Sequence, residues 1–281
     1  MIVDNLKIVL DKNNDKNSLY LRNLLKEQLQ NYLLNYIYNS QYGEKFIFKG
    51  GTCLRFCFEL PRLSEDLDFD VEGFSDFNYD KFTEDLKNYF SSKLKYDDLS
   101  IRISGKNKII YLKFPILEKI GFPVNKNKPS ESTLFVRIDL NDLKGKYFSK
   151  EISLKSTSDF SFIIKRYALT DIFAGKLAAV LLRESWEGKE KQPRFKGRDY
   201  FDICWLMQKK IRPNFSYLKT LIEVKSDKEL LEMLKDKFQV AIKKKQIIKD
   251  DLLPFFSEEN FIEDFINSLD SLLNNLVIYL K

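Results

Sequence analysis

Histidine is absent from this chain of 281 residues. That absence excludes Ser/His/Asp and Cys/His triads, HExxH zinc sites, zinc fingers and imidazole proton shuttles. Chemistry has to run on carboxylates, lysines, hydroxyls, backbone groups or a borrowed metal. Cysteine is scarce as well: Cys53, Cys57 and Cys204 form neither a CxxC pair nor a disulfide spacing, which excludes a disulfide framework and suits a reducing cytoplasm. With 10 glycines and 7 prolines, loops are expected to be few and helices many. Long apolar runs are missing too. Asp4 and Lys7 interrupt the amino-terminal stretch, and Asp171 and Lys176 interrupt segment 169–183, so neither a signal peptide nor a membrane span is expected.

What is present suffices for a sizeable core. Hydrophobic residues make up 44% and charged residues 31% of the chain, which fits one large domain or two of ordinary size. A net charge of +6 is compatible with an anionic partner but too mild to identify nucleic acid by itself.

Residues 17–39 place Leu21, Leu25, Leu29, Tyr32, Leu33 and Ile37 on one face at helical spacing, which predicts an opening amphipathic helix. FIFK, 46–49, reads as a buried strand that ends at Gly50 and Gly51, with Thr52 as the expected cap of a following helix. LDFDV, 67–71, alternates so that Leu67, Phe69 and Val71 face one way and Asp68 and Asp70, with Asp66, the other. Further strands are expected at 100–104, 109–116 and 134–141, and a helix near 79–92. From Leu169 onward the pattern turns helical. The expected organisation is an α/β domain over residues 1–160 and a helical domain over 161–281.

The chemistry concentrates in GGTCLRFCFELPRLSEDLDFD, 50–70. Two glycines allow close approach to a ligand, and the helix after them directs unsatisfied N–H groups at it, an arrangement suited to a triphosphate. Asp66 and Asp68, two apart on one strand face, have the spacing at which carboxylates share hard cations such as Mg²⁺. Ser64 and Thr52 are short hydroxyls within reach of phosphate oxygens. A glycine pair alone usually marks only a turn, and Asp-x-Asp only a solvated strand. Together they describe a phosphate cradle facing a metal-binding pair.

KGGT-x-LR followed by R-x-SEDLDF, here Lys49, Gly50, Gly51, Thr52, Leu54, Arg55, Arg62, Ser64, Glu65, Asp66, Leu67, Asp68 and Phe69, resembles the DNA polymerase β-like nucleotidyltransferase superfamily and, within it, the AbiEii-type toxins of abortive-infection and type IV toxin–antitoxin systems. AGKLAAVLLR, 174–183, and KGRDYFDICWL, 196–206, are similar to that family's later Lys and Arg-Asp-x-x-Asp motifs. The resemblance implies a polymerase β-like mixed α/β domain followed by a helical one. It implies catalytic roles for Ser64, Asp66, Asp68, Lys176 and Asp199, with Asp139 on a neighbouring strand as third carboxylate. Gly50, Gly51, Thr52, Arg55, Ser64 and Lys176 would bind the nucleotide, and Asp66, Asp68 and Asp139 would hold Mg²⁺, or Mn²⁺ in its place. On spacing alone Asp199 serves equally well as a helix cap. The implied activity moves a nucleoside monophosphate from a nucleoside triphosphate to the 3′ end of tRNA, which stops translation, under restraint by a separately encoded antitoxin in the cytoplasm. Transfer to a protein or small molecule, or a non-catalytic nucleotide- or RNA-binding module, are the alternatives. Lys189, Lys191, Arg194 and Lys196, with Lys243, Lys244 and Lys245, either line a path for RNA phosphates or form a solvated face.

Overall fold

The computed structural model describes residues 2–105, 109–125, 129–182, 186–187, 192–193, 195–224 and 226–280. Lys189, Lys191 and Arg194 therefore lie outside the described residues. The chain divides into two compact units, one made of residues 1–143 with 151–166, the other of 144–150 with 167–281.

The first unit is built on a mixed sheet of seven strands: β1 (Phe46–Lys49), β2 (Asp66–Val71), β3 (Ser100–Ser104), β4 (Ile109–Phe114), β5 (Leu134–Asp142), β6 (Lys150–Ser156) and β7 (Ser161–Tyr167), in the order β3-β4-β5-β2-β1-β7-β6. β1 runs antiparallel to β2, whereas β2 runs parallel to β5 and β1 parallel to β7. Alternation gives the central strands one apolar face, on which Phe46, Phe48, Leu67, Phe69, Val136, Ile138 and Leu140 are buried. Phe69 sits at the middle of that face, its ring 5.3 Å from Phe46 and 5.0 Å from Phe48. Burying each such ring contributes roughly 1.5–3 kcal/mol.

Around the sheet stand α1 (Ile2–Asp11), α2 (Ser18–Tyr38), α3 (Gly50–Phe58) and α4 (Tyr79–Ser92). Asn17 caps α2 and Asn78 caps α4, each side chain accepting from a backbone N–H three residues on. α2 buries more of its circumference than a simple amphipathic pattern implies, enclosing Asn23 and Gln30 along with its leucines. β7 falls past residue 160, yet it hydrogen-bonds into the sheet, while α1 and β6 had no sequence forecast.

The second unit holds α5 (Leu169–Leu182), α6 (Gly197–Gln208), α7 (Phe215–Leu221), α8 (Asp227–Ile242), α9 (Lys245–Leu252) and α10 (Glu259–Leu280). Two short strands, β8 (Trp186–Glu187) and β9 (Gln192–Pro193), pair antiparallel between α5 and α6. Asp171, one of the charges that break the apolar run of α5, accepts from Ser149 N at 2.7 Å and from Asn214 Nδ2 at 2.7 Å. Its buried carboxylate ties segment 144–150 to the start of α7. Among the described residues no helix is long and apolar enough to cross a membrane.

Candidate active site

The acidic face of β2 meets β5 in a register that sets Asp66 opposite Arg137 and Asp68 opposite Asp139. Paired residues on neighbouring strands share a face, and the strands lie about 4.8 Å apart. Asp66, Asp68, Arg137 and Asp139 therefore stand at the corners of one small square. Within it the Arg137 guanidinium donates through Nη2 to Asp139 Oδ2, and its Nη1 lies 4.0 Å from Asp66 Oδ2. The hydrogen bond to Asp139 pushes the Arg137 pKa further up, against the effect of burial, with Asp66 contributing next. No sequence motif marks Arg137, although R-I-D in β5 gives it the face of Asp139 by simple alternation.

The glycine turn between β1 and α3 faces this square. Gly50 has φ +80°, a left-handed value that glycine adopts freely, and a Cβ there would come within 2.4 Å of Asp68 Oδ2. A Cβ on Gly51 would meet Arg62 Nη2 at 2.6 Å and Ser64 Oγ at 3.2 Å. Helix α3 starts at Gly50 with Lys49 in the N-cap position and no side-chain cap. Thr52 is thus not the cap expected from sequence: the helix begins two residues earlier, and Thr52 is buried in the first turn. Its hydroxyl donates to the Asp66 carbonyl and shares a 2.8 Å hydrogen bond with Ser64 Oγ. Ser64 is further fixed by Gln30, whose Nε2 donates to the Ser64 carbonyl at 3.1 Å. Lys49 Nζ pairs with the buried Asp70 at 2.5 Å. Gly50, Gly51, Thr52, Ser64, Asp66, Asp68 and Asp139 are in this way gathered at one end of the sheet. Arg55 is turned elsewhere, its guanidinium held by Glu27 of α2 at 2.7 and 3.2 Å.

Lys176 and Asp199 come together in the second unit. Lys176 Nζ lies 3.0 Å from Asp199 Oδ1 and 2.6 Å from Asp202 Oδ2, all three side chains being buried. The ammonium that interrupts the small-residue helix α5 is buried against the carboxylates of Asp199 and Asp202, which offset the cost of its desolvation. Asp199 is not the N-cap of α6; Lys196 holds that position without a side-chain hydrogen bond. Capping comes instead from Asp251 of α9, which accepts from Arg198 N at 3.0 Å. Of the basic run, Lys244 lies over the Phe195 ring at 5.1 Å and Lys245 pairs with Asp270 at 3.0 Å.

The donors of the square suit a hard divalent cation, since all three carboxylates offer oxygen from one face. In the conformation described, Arg137 lies among them, and no three His, Cys, Asp or Glu side chains among the described residues converge as cation ligands.

A family model described as nucleotidyl transferase AbiEii toxin, type IV TA system, matches residues 32–275. Among solved structures, JHP933 from Helicobacter pylori aligns over 92% of this chain and 93% of its own, at 17% identity and a TM-score of 0.51, a likeness of fold. A second solved structure, from H. pylori and described as a candidate nucleotidyltransferase, aligns over 92% of this chain and 95% of its own at 17% identity and a TM-score of 0.46. No match was found among curated proteins.

Proposed function

The chain belongs to the AbiEii nucleotidyl transferase toxin family of type IV toxin–antitoxin systems, and on that premise we propose that it transfers a nucleoside monophosphate from a nucleoside triphosphate to the 3′ end of tRNA with the help of Mg²⁺ or Mn²⁺. It is a nucleotidyltransferase of a toxin family, and a nucleotide substrate and an antitoxin go with that membership. The observation that supports metal-assisted transfer is the parallel register of β2 and β5, which sets Asp66, Asp68 and Asp139 on one face beside the glycine turn.

In this reading Asp66, Asp68 and Asp139 hold the divalent cation. Such a cation supplies Lewis-acid polarisation of the phosphoryl oxygens and lowers the pKa of the attacking hydroxyl. The chain's own groups do the rest. The first turn of α3, which has no side-chain cap, receives phosphate oxygens, and Ser64, paired with Thr52, fixes that turn. Asp139 accepts the proton of the acceptor's 3′ hydroxyl as its oxygen bonds to the α-phosphorus, and pyrophosphate departs as the α–β bridge breaks. Lys176, held by Asp199 and Asp202 within the second unit, takes its catalytic role from the family motif. Arg55, committed to Glu27, acts by fixing α3 against α2.

Labelled triphosphates, offered one base at a time to a cell extract with the purified protein, test this. Label is expected in RNA of tRNA size, to vanish in EDTA and to return with Mg²⁺. Label in protein bands or in a small soluble product would overturn the tRNA acceptor, and transfer that persists in EDTA would overturn the metal.

A further inference from the structure

We propose that Arg137 is the internal counter-cation of the carboxylate square, joining Asp66 to Asp139 until a divalent cation displaces its guanidinium. The inference rests on the metal-binding reading of those carboxylates and concerns a residue that reading leaves without a role.

Carboxylates on neighbouring strands repel one another strongly unless a cation sits among them. Here the strand register itself delivers that cation, because the position opposite Asp66 is Arg137 and the position opposite Asp68 is Asp139. Arg137 is two residues before Asp139 on the same strand, so its side chain rises from the same face and folds back onto that carboxylate while reaching across to Asp66. It bridges two strands and two of the three carboxylates of the square with one charge.

The arrangement is also only partly committed. Arg137 Nε is buried with no acceptor, and of its two ion-pair contacts the one to Asp66 is long, at 4.0 Å. A guanidinium carries five donors in a fixed fork, and one built purely as a structural brace is normally satisfied along both edges. This one keeps about a third of its side chain exposed, at 34%, and Asp66 is 25% exposed, so solvent and ions reach the pair. A divalent cation brings twice the charge and no side-chain entropy, and it gains the same oxygens once the guanidinium leaves. Occupancy by Arg137 thus lets the two strands pair in the metal-free protein and sets the concentration of divalent cation at which the site fills.

The test is direct binding of Mn²⁺ to the full chain, followed by electron paramagnetic resonance of the free ion with no nucleotide present, together with thermal denaturation in EDTA. Arg137→Met is expected to bind Mn²⁺ about tenfold more tightly than wild type, equivalent to about 1.4 kcal/mol. It is also expected to melt at a lower temperature in EDTA and to gain more from added Mn²⁺. Arg137→Lys, which keeps a charge on a shorter reach, should fall between, and it stands in if the methionine variant does not fold. Asp66→Asn should weaken binding. If the Arg137 variants bind Mn²⁺ no better than wild type while Asp66→Asn weakens it, the counter-cation role is overturned and the metal reading stands. Binding that is undetectable in every protein, or indifferent to Asp66→Asn, would overturn the metal reading and this inference together.

Discussion

The carboxylate of Asp68 lies over the backbone of Gly50, so close that a Cβ on that glycine would come within 2.4 Å of Oδ2. The left-handed turn and the acidic strand are therefore one device: the turn takes its shape only with glycine, and the carboxylate takes its position only because glycine has no side chain.

Gly50→Ala is accordingly expected to lose roughly 1–2 kcal/mol to backbone strain at φ +80° and further stability to the displaced carboxylate, and to lose most of its transfer activity. Gly73→Ala provides the control. Gly73 has φ +70° with nothing within 4 Å of its added Cβ, so strain acts there alone and transfer should survive. Urea denaturation and a transfer assay on both variants decide the matter; equal activity in the two would separate the turn from the chemistry.

Asp66→Asn and Asp68→Asn are expected to reduce transfer on the order of 10²–10³-fold, the usual effect of removing one charge from a preorganised site. Both side chains are only part-buried, so circular dichroism and melting temperature should stay near wild type. A near-normal rate in either variant would remove that carboxylate from the reaction.

The acidic strand was legible because alternation is a local signal: 67–71 needs only its own residues to declare two faces, and the glycine pair before a helix is equally local. The strand β6 was not legible. Its sequence KEISLKS is an edge strand whose Ile152 and Leu154 are 69% and 73% exposed, so polar and apolar residues do not sort by burial. β7 lay hidden for a related reason, since a boundary expected at 160 follows from helical patterning further on, not from strand pairing back to β1. At the candidate site, the face shared by Asp66 and Asp68 could be read directly, whereas the register that brings Arg137 opposite Asp66 joins residues far apart in the chain. Asp251 at the start of α6 is the same case, separated by 53 positions from the N–H it caps.

Lys176→Met should destabilise the helical unit by about 3–5 kcal/mol, because it leaves the carboxylates of Asp199 and Asp202 buried without their ammonium. Lys176→Met combined with Asp202→Asn should recover part of that loss, since one orphaned charge is then removed. Denaturation curves of the two proteins measure the difference. Growth arrest on expression should be relieved by both; a Lys176→Met protein that is fully stable and still toxic would show the lysine to be dispensable.

The three thiols should react in a fixed order. The hydrogen bond from Cys53 holds the Cys57 thiol below its usual range, with Arg166, Ser153 and Lys155 helping against the effect of burial. Burial pushes Cys53 well up and Cys204 to about 12. At pH 8 the thiolate fraction, and with it the rate of disulfide exchange with Ellman's reagent, is then greatest at Cys57, the one cysteine that is not buried. Peptide mapping after brief labelling should find Cys57 modified first and Cys53 and Cys204 only after unfolding. The signs for stability are opposite. The folded pKa of Cys204 lies above its unfolded value, so its contribution is complete below the ordinary thiol value of 9.0 and is lost as pH rises toward about 12. The stability gap between wild type and Cys204→Ala should therefore narrow above pH 9. Cys57, depressed when folded, contributes only above its unfolded pKa and loses that contribution as pH falls. Labelling of Cys204 as fast as Cys57 in the folded protein would mean that α6 opens readily, and the buried Lys176, Asp199 and Asp202 set would then be exposed along with it.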